Sequence, residues 1–483
     1  MKAQLPQPSK YIVFIFTIAL RMLATPAVVA PATAAAQGSE PAVAVQTVAV
    51  QTKDPDIATV VKDISAAHIQ ANIEKLVGFH NRNTLSAADP ASISAGRGIG
   101  AAREWIKQEF ERYSKACGGC LEVKTDSFLQ QPADRIPSPT EIVNVYAVMR
   151  GTDPGDSKRI YLVTGHYDSR NSDTLNITDA APGANDDGSG TAVSLECARV
   201  LSQHKFPATI IFLTVAGEEQ GLNGSRHFAK MAKEQGWNIA GALNNDIVGG
   251  NKSAGQDTKV VRVFSEGVPV AATENDMKTI RATGLENDSR SRQLARYIAE
   301  TAKTYLPSGF QPTLIFRRDR YLRGGDHTGF NENGFAAVRF TEYLEDFHRQ
   351  HQTPRAEGGI EYGDLPKFVD FNYVANVARV NAATLASLAA APEAPANVTM
   401  LTQQLENDTT LKWTPSTDGR AARFEVLWRA TSAPDWESKQ DVGNVSQVTI
   451  QRSKDNVIFG VRAVDAKGHR SLVVVPLPSR SRD

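Results

Sequence analysis

Between residues 97 and 389 the chain alternates short apolar, β-branched runs with longer segments whose apolar positions recur every three to four residues. The short runs predict strands at 159–164, 209–215, 241–246, 312–316 and 335–340. The periodic segments predict helices at 97–114, 191–202, 225–234, 291–305 and 370–389. Strands separated by helices build an α/β fold, a mostly parallel central sheet with helices on both faces. In such sheets ligands bind beyond the carboxyl ends of the strands, so the residues just past each strand come first in a search for chemistry.

Near residue 390 the pattern changes. Pro392-Glu393-Ala394-Pro395 reads as a hinge, and beyond it only short alternating segments remain, at 398–401, 410–413, 423–429, 448–451, 456–464 and 471–475. Turn residues separate them at the spacing of an all-β sandwich. The stretch 391–483 resembles a fibronectin type III module, with Trp413, Trp428 and Phe459 as core aromatics. It holds no catalytic cluster, which points to a spacer or adhesion module with a surface or polymer partner.

The first residues read as an address. Lys2 and Lys10 precede an apolar run at 11–20 and the small residues Ala34-Ala35-Ala36, the pattern of a signal peptide over 1–36 that sends the protein to a secreted or periplasmic location. The run is shorter than a bilayer span and Arg21 interrupts it, so no membrane span is expected in the mature form. Residues 37–54 are expected to form a linker or short pro-segment, which leaves 55–390 for the α/β domain.

Composition narrows the classes. At 483 residues the chain exceeds one ordinary core, so two folded domains are expected. Lys+Arg and Asp+Glu both number 53, so no basic excess suggests a nucleic acid partner. Cys117 and Cys120 share a CxxC spacing without a second pair to complete a zinc site, and the two glycines between them suit a local disulfide. Cys197 reads as a small buried hydrophobe.

The residues past the strands carry a consistent chemistry. Gly165-His166-Tyr167-Asp168-Ser169 follows the first strand, and Ala184-Asn185-Asp186-Asp187-Gly188-Ser189-Gly190 leads into a helix. Gly217-Glu218-Glu219-Gln220-Gly221 follows the second strand, the third ends in Asn244-Asn245-Asp246, and a further loop holds His348 and His351. Imidazole and carboxylate ligands without thiolate suit catalytic Zn²⁺. Five ligands exceed one catalytic zinc but serve two, if one carboxylate bridges. Two Zn²⁺, three carboxylates and a bridging hydroxide then sum to neutrality, and such a site generates its own nucleophile near neutral pH. Of the adjacent Glu218 and Glu219, one can bind metal while the other faces the water.

The segments GHYDS, ANDDGSG, GEEQGL, NND and HQTP resemble those of the co-catalytic di-zinc exopeptidases, the family of bacterial secreted leucyl aminopeptidases and glutamate carboxypeptidases. The resemblance spans about residues 57 to 390. It implies the zinc exopeptidase fold, two Zn²⁺ per chain and hydrolysis at a peptide terminus, most of all aminopeptidase action on peptide substrates. It implies His166, Asp186 and Asp246 as metal ligands with Asp186 the bridge, Glu218 as general base and Glu219 as a ligand. His351 is preferred to His348 as the fifth ligand because Thr353-Pro354 follows it closely; the family's acidic residue after the Thr is displaced here to Glu357.

Asp168 is expected to orient His166 through its other ring nitrogen. Asp326 and His327 are expected to help form the substrate pocket, to brace the metal shell or to make a structural turn, and Glu342 and Tyr343 are further candidates for the pocket. Carboxypeptidase action, glutaminyl cyclase-like chemistry with one zinc, and a metal-free binding protein are the alternatives. The cluster Arg317, Arg318, Arg320 and Arg323 keeps the first of them open.

Overall fold

A computed structural model describes residues 46–47, 53–306 and 309–479. The segment 1–36, expected to be a signal peptide, lies outside them. Inside the expected linker, Gln46–Thr47 forms a strand, β1. Helices α1 (Pro55–Asp63), α2 (Ala66–Val77), α3 (Pro90–Ser94) and α4 (Gly98–Ala116) follow. Asp54, Ser65 and Asp89 cap the first three by accepting backbone N–H groups of the opening turn. Just past α4, Cys117 and Cys120 are joined in a disulfide.

A long hairpin, β2 (Leu121–Gln130) and β3 (Thr140–Met149), precedes β4 (Arg159–His166), α5 (Gly188–Leu201), β5 (Thr209–Val215), α6 (Asn223–Glu234), β6 (Asn238–Asn245) and β7 (Val260–Ser265). Then come α7 (Glu274–Thr283), α8 (Arg290–Tyr305), β8 (Gln311–Ile315), α9 (His327–Glu332), β9 (Ala337–Glu342), the small hairpin of β10 (Arg355–Glu357) and β11 (Ile360–Tyr362), and α10 (Phe371–Ala390). One sheet of eight strands organises this part, in the order β2-β3-β5-β4-β6-β9-β7-β8. Its central strands β5, β4, β6 and β9 run parallel, as the alternation of strand and helix predicts. Antiparallel pairings enter only toward the edges, through β2, β3 and β7.

Successive side chains of a strand face opposite sides, and the sheet uses both. In β5, Ile210 and Phe212 join the core formed with α5 and α10, while Ile211, Leu213 and Val215 pack on Phe228 of α6 and Phe330 of α9. Two buried faces give the central strands apolar runs of four residues or so, such as Ile160–Val163 and Ile210–Leu213, which is why those strands are legible. β2 is half-exposed along its length and reads LEVKTDSFLQ, so its polar positions disguise it.

Beyond α10 lie β12 (Ala396–Leu401), β13 (Thr409–Thr414), β14 (Arg423–Ala430), β15 (Ser438–Gly443), β16 (Gln447–Ile450), β17 (Val457–Val464) and β18 (Leu477–Ser479). They form two four-stranded sheets, β1-β15-β14-β17 and β16-β13-β12-β18, enclosing Trp413, Phe424, Trp428 and Phe459. The strand expected at 471–475 is not one. Only Val474 makes a ladder-like bridge, to Val461, and the Ser471 hydroxyl accepts the Ala463 N–H that a regular ladder would direct to a carbonyl. The first strand of this sandwich is donated from the opposite side of the sequence, with Gln46 and Thr47 opposite Lys439 and Ser438.

Polar contacts join sandwich and α/β part along α8. Arg429 pairs with Asp288 at 2.7 Å, Arg462 and Arg470 reach Glu300 at 2.9 and 3.1 Å, and the Tyr297 hydroxyl donates to the Arg470 carbonyl. No helix of the described residues is long and apolar enough to cross a membrane.

Candidate active site

The central strands end at one edge in matched register. His166 closes β4 opposite Val215 of β5, and Thr164 lies opposite Asn244 of β6, so the loops after all three strands open on the same side. Asp186 arrives there on the loop into α5, whose first turn is capped by Asp187; the Asp187 carboxylate accepts from Gly190 N–H at 2.9 Å and from His166 N–H at 3.0 Å. Gly190 is what lets that helix start lie against the strands, because a Cβ there would run into the Asn245 carbonyl and the Asp187 carboxylate.

Two groups of ligand atoms result, each within 4.8 Å: His166, Asp186 and Asp246, and Asp186, Glu219 and His351. Asp186 belongs to both. Its Oδ1 lies 3.1 Å from His166 Nε2 and its Oδ2 lies 2.8 Å from His351 Nε2, which is itself 3.1 Å from Glu219 Oε1. His166 Nε2, Asp186 Oδ2 and Glu219 Oε1 are buried, yet none makes a hydrogen bond of acceptable geometry. Lone pairs converging from three buried carboxylates and two imidazoles fit divalent cations of the zinc type, which compensate charge that nothing else in contact neutralises in full. His348, the other histidine of that loop, stays largely exposed beside Asp346.

Glu218 stands apart from these groups. Its carboxylate is 4.0 Å from His166 Nε2 and its side chain is 14% exposed, onto a cavity of about 600 Å³. Burial pushes the Glu218 carboxyl well above its ordinary value, against the pull of His166, with Asp246 and Glu219 adding to the rise. Burial would raise Asp186 too, but His351 and His166 hold it well below the usual carboxylate range.

Asp168 ties these parts together. The His166 Nδ1 nitrogen lies 3.1 Å from the Asp168 carbonyl and 3.4 Å from its carboxylate, which turns Nε2 toward the cluster. The same carboxylate accepts the backbone N–H groups of Glu218 and Glu219 at 3.4 and 3.2 Å and the Thr84 hydroxyl at 3.0 Å. One side chain thereby fixes both the histidine and the turn that carries the two glutamates.

Residues 144–359 match the model of peptidase family M28. Over 432 residues the chain is 46% identical to a protein of Pyrenophora tritici-repentis described as a probable zinc metalloprotease, a match covering 89% of this chain and 88% of that one. A protein of Pyricularia oryzae with the same description is 44% identical over 442 residues, 90% of this chain and 86% of that one. The chain belongs to peptidase family M28. It is a metallopeptidase, a hydrolase, and its fold is shared with LapB from Legionella pneumophila, at a TM-score of 0.50 and 18% identity over 72% of this chain and 78% of that one.

Around the cluster this M28 chain uses residues that sequence reasoning passed over. Arg82 is buried completely and donates to the carbonyls of Leu76, Tyr167, Pro182 and Gly183, stitching together the loops that carry His166 and Asp186. Asp364 accepts the backbone N–H groups of Asn185 and Asp186, and burial pushes its carboxyl up to about 7. Arg339 on β9 pairs with Asp246 at 2.9 Å and with Asp319 at 3.4 Å. Arg170 places Nε 3.0 Å from Glu219 and a terminal nitrogen 2.6 Å from His351 Nδ1. Arg339 carried a readable signal, a lone charge inside an apolar β-run; Arg82 and Asp364, in loops, carried none.

The four pocket candidates require correction. Asp326 and His327 are fully buried behind the cluster, because Gly325 brings their loop against Arg339 and Asp246 where any Cβ would collide. His327 gives its Nε2 to the Arg318 carbonyl, and burial lowers it to about 4, so it is a neutral brace. Glu342 is fully buried as well, bonded to the side chains of Asn185 and Asn251, and burial pushes it up to about 8. It supports the Asp186 loop from behind and cannot meet a substrate. Tyr343 is half-exposed but does not line the cavity beside Glu218. Of the basic cluster at 317–323, Arg323 alone lines that cavity, while Arg320 is committed to Asp319 and Glu345.

Proposed function

We propose that the protein is an exported aminopeptidase holding two zinc ions, one between His166 and Asp246 and the other between Glu219 and His351, with Asp186 bridging. The observation that carries this reading is the membership of Asp186 in both ligand groups, one oxygen toward each histidine. A zinc pair there supplies Lewis-acid polarisation of a scissile carbonyl and of the water that attacks it.

The chain's own residues supply the rest. Glu218, on the wall of the cavity, takes the proton of the attacking water and delivers it to the leaving amine. Burial raises its carboxyl, which strengthens it as a base for the water's proton. Asp168 holds that turn and His166 in fixed relation, and Arg82 holds the loops on either side. Release from the N-terminus rests on the resemblance of five separated motifs to secreted leucyl aminopeptidases; export rests on the pattern of residues 1–36, and the sandwich is read as a fibronectin type III-like module on its strand pattern and core tryptophans.

Two measurements test the reading. Elemental analysis of the purified protein is expected to find about two zincs per chain, where one would favour cyclase-like chemistry. Peptides with a free N-terminus are expected to shorten from that end and N-acetylated ones to resist; loss of C-terminal residues from the acetylated peptide would establish a carboxypeptidase instead.

A further inference from the structure

The cavity beside Glu218 has an unusual wall. Its carboxylates are Glu218 and Glu219, both part of the site, while three arginines, Arg135, Arg170 and Arg323, line it together. Each is fastened by part of its guanidinium. Arg135 donates one terminal N–H to the Glu219 carbonyl at 3.0 Å, Arg323 donates one to Glu345 at 3.0 Å, and Arg170 spans Glu219 and His351. The described residues offer no partner to the remaining N–H groups of Arg135 and Arg323. Glu345 itself is shared by Arg262, Arg320 and Arg323, so Arg323 is not needed to neutralise it. A guanidinium held at one terminal nitrogen keeps its other N–H groups free, and their planar fork matches a carboxylate with two hydrogen bonds. Leu222, Leu322 and Phe347 add apolar surface to the same wall, beside Gln350 and His351.

Building on the peptidase reading above, we propose that this cavity recognises a carboxylate of the substrate within one residue of the bond to be cut, through Arg135 and Arg323. The closeness follows because Glu218 shares the wall with both arginines. The carboxylate has two sources in peptides: the C-terminus of a dipeptide, or an acidic side chain next to the scissile bond. The first makes dipeptides the preferred substrates and the second peptides with an acidic residue beside the scissile bond, with an apolar neighbour accommodated by the leucines and Phe347.

The test compares four substrates on the full chain: Leu-Leu, Leu-Leu-amide, Leu-Glu-amide and Leu-Gln-amide. Leu-Leu exceeding its amide in kcat/KM by about ten-fold, chiefly through KM, identifies the terminal carboxylate; Leu-Glu-amide exceeding Leu-Gln-amide identifies the side chain. Arg323→Ala and Arg135→Ala each bring the larger of these ratios toward one. In parallel, reduced-bond analogues of all four peptides, with CH2–NH replacing the scissile amide, are titrated into the protein by calorimetry, and the analogues bearing the carboxylate should bind about ten-fold tighter. Hydrolysis with ratios near one and equal binding overturns the carboxylate site and leaves the peptidase intact. No hydrolysis with unequal binding overturns the peptidase reading and keeps the carboxylate site; no hydrolysis with equal binding overturns both.

Discussion

Buried charge is handled in opposite ways at the two ends of this molecule. Where the sandwich meets α8, Glu425 lies 2.7 Å from Arg462 and 2.6 Å from Lys439, Glu300 receives Arg462 and Arg470, and Asp288 receives Arg429 and Arg296. Every carboxylate there meets a cation from the chain itself. At the strand ends Arg339 reaches Asp246 and Arg170 reaches Glu219, but Asp186 meets no arginine or lysine, only His166 and His351, and the ligand atoms His166 Nε2, Asp186 Oδ2 and Glu219 Oε1 are buried without hydrogen bonds. The first arrangement holds two modules together, while the second is left open for positive charge from outside. A buried ionic group therefore signals function when its compensation is missing, and architecture when it is complete.

The contrast can be broken most severely by removing the outside charge. Dialysis against a zinc chelator, or Asp186→Ala, is expected to abolish hydrolysis and to lower the thermal midpoint, with restoration by added zinc only in the dialysed native chain. Glu218→Gln is the next largest effect: turnover should fall by about 10²- to 10⁴-fold while bound zinc stays unchanged, because the general base is lost and the ligand groups are not touched. A zinc-loaded variant of full activity would remove Glu218 from the mechanism.

The other side of the comparison has the reverse signature. Arg462→Ala leaves Glu300 with Arg470 alone and Glu425 with Lys439 and Arg470, and should cost up to about 3–5 kcal/mol in denaturant unfolding while activity per folded molecule persists. The smallest effect is a pH dependence. Burial works against the Glu425 charge, but Arg462, Arg470 and Lys439 hold it down to about 2 from an ordinary 4.5. A depressed carboxylate stabilises the fold above its unfolded value and loses that contribution as pH falls from about 4.5 through about 2, about 3 kcal/mol in all. Glu425→Gln should flatten the melting curve across that window; an unchanged slope would mean that the network is not electrostatic.

What could be read from the sequence followed from the same physics. Strands buried on both faces carry apolar runs, Ile160–Val163 in β4, Ile210–Leu213 in β5 and Ile239–Leu243 in β6, so these strands were legible, and His166, Asp186, Glu218, Glu219 and Asp246 lie at their ends or in the adjoining loops. β2 and β15 were not, because edge or half-solvated strands mix polar residues into the pattern, and β3, buried over Ile142–Met149, was missed as well. Long-range partners left no trace either: nothing near Arg82 announces four carbonyls gathered from distant loops, and nothing in Gly363-Asp364-Leu365 announces a carboxylate that seats Asp186. The pocket candidates failed for a related reason. Glu342 closes β9 and Asp326 lies in the loop ahead of it, but whether a side chain points into a cavity or behind a loop is decided by packing at Gly325 and Asn185.

One short element reaches further than its size suggests. Gln46–Thr47 covers the free side of β15, a strand made near the far end of the sequence. During synthesis the α/β part can condense while the sandwich is still unmade, and that early segment must wait for a partner that emerges last. Closing so long a loop is slow and comes late. Until it closes, β15 offers bare N–H and C=O groups to any passing strand, so the moment of greatest danger for self-association falls after most of the chain has already folded.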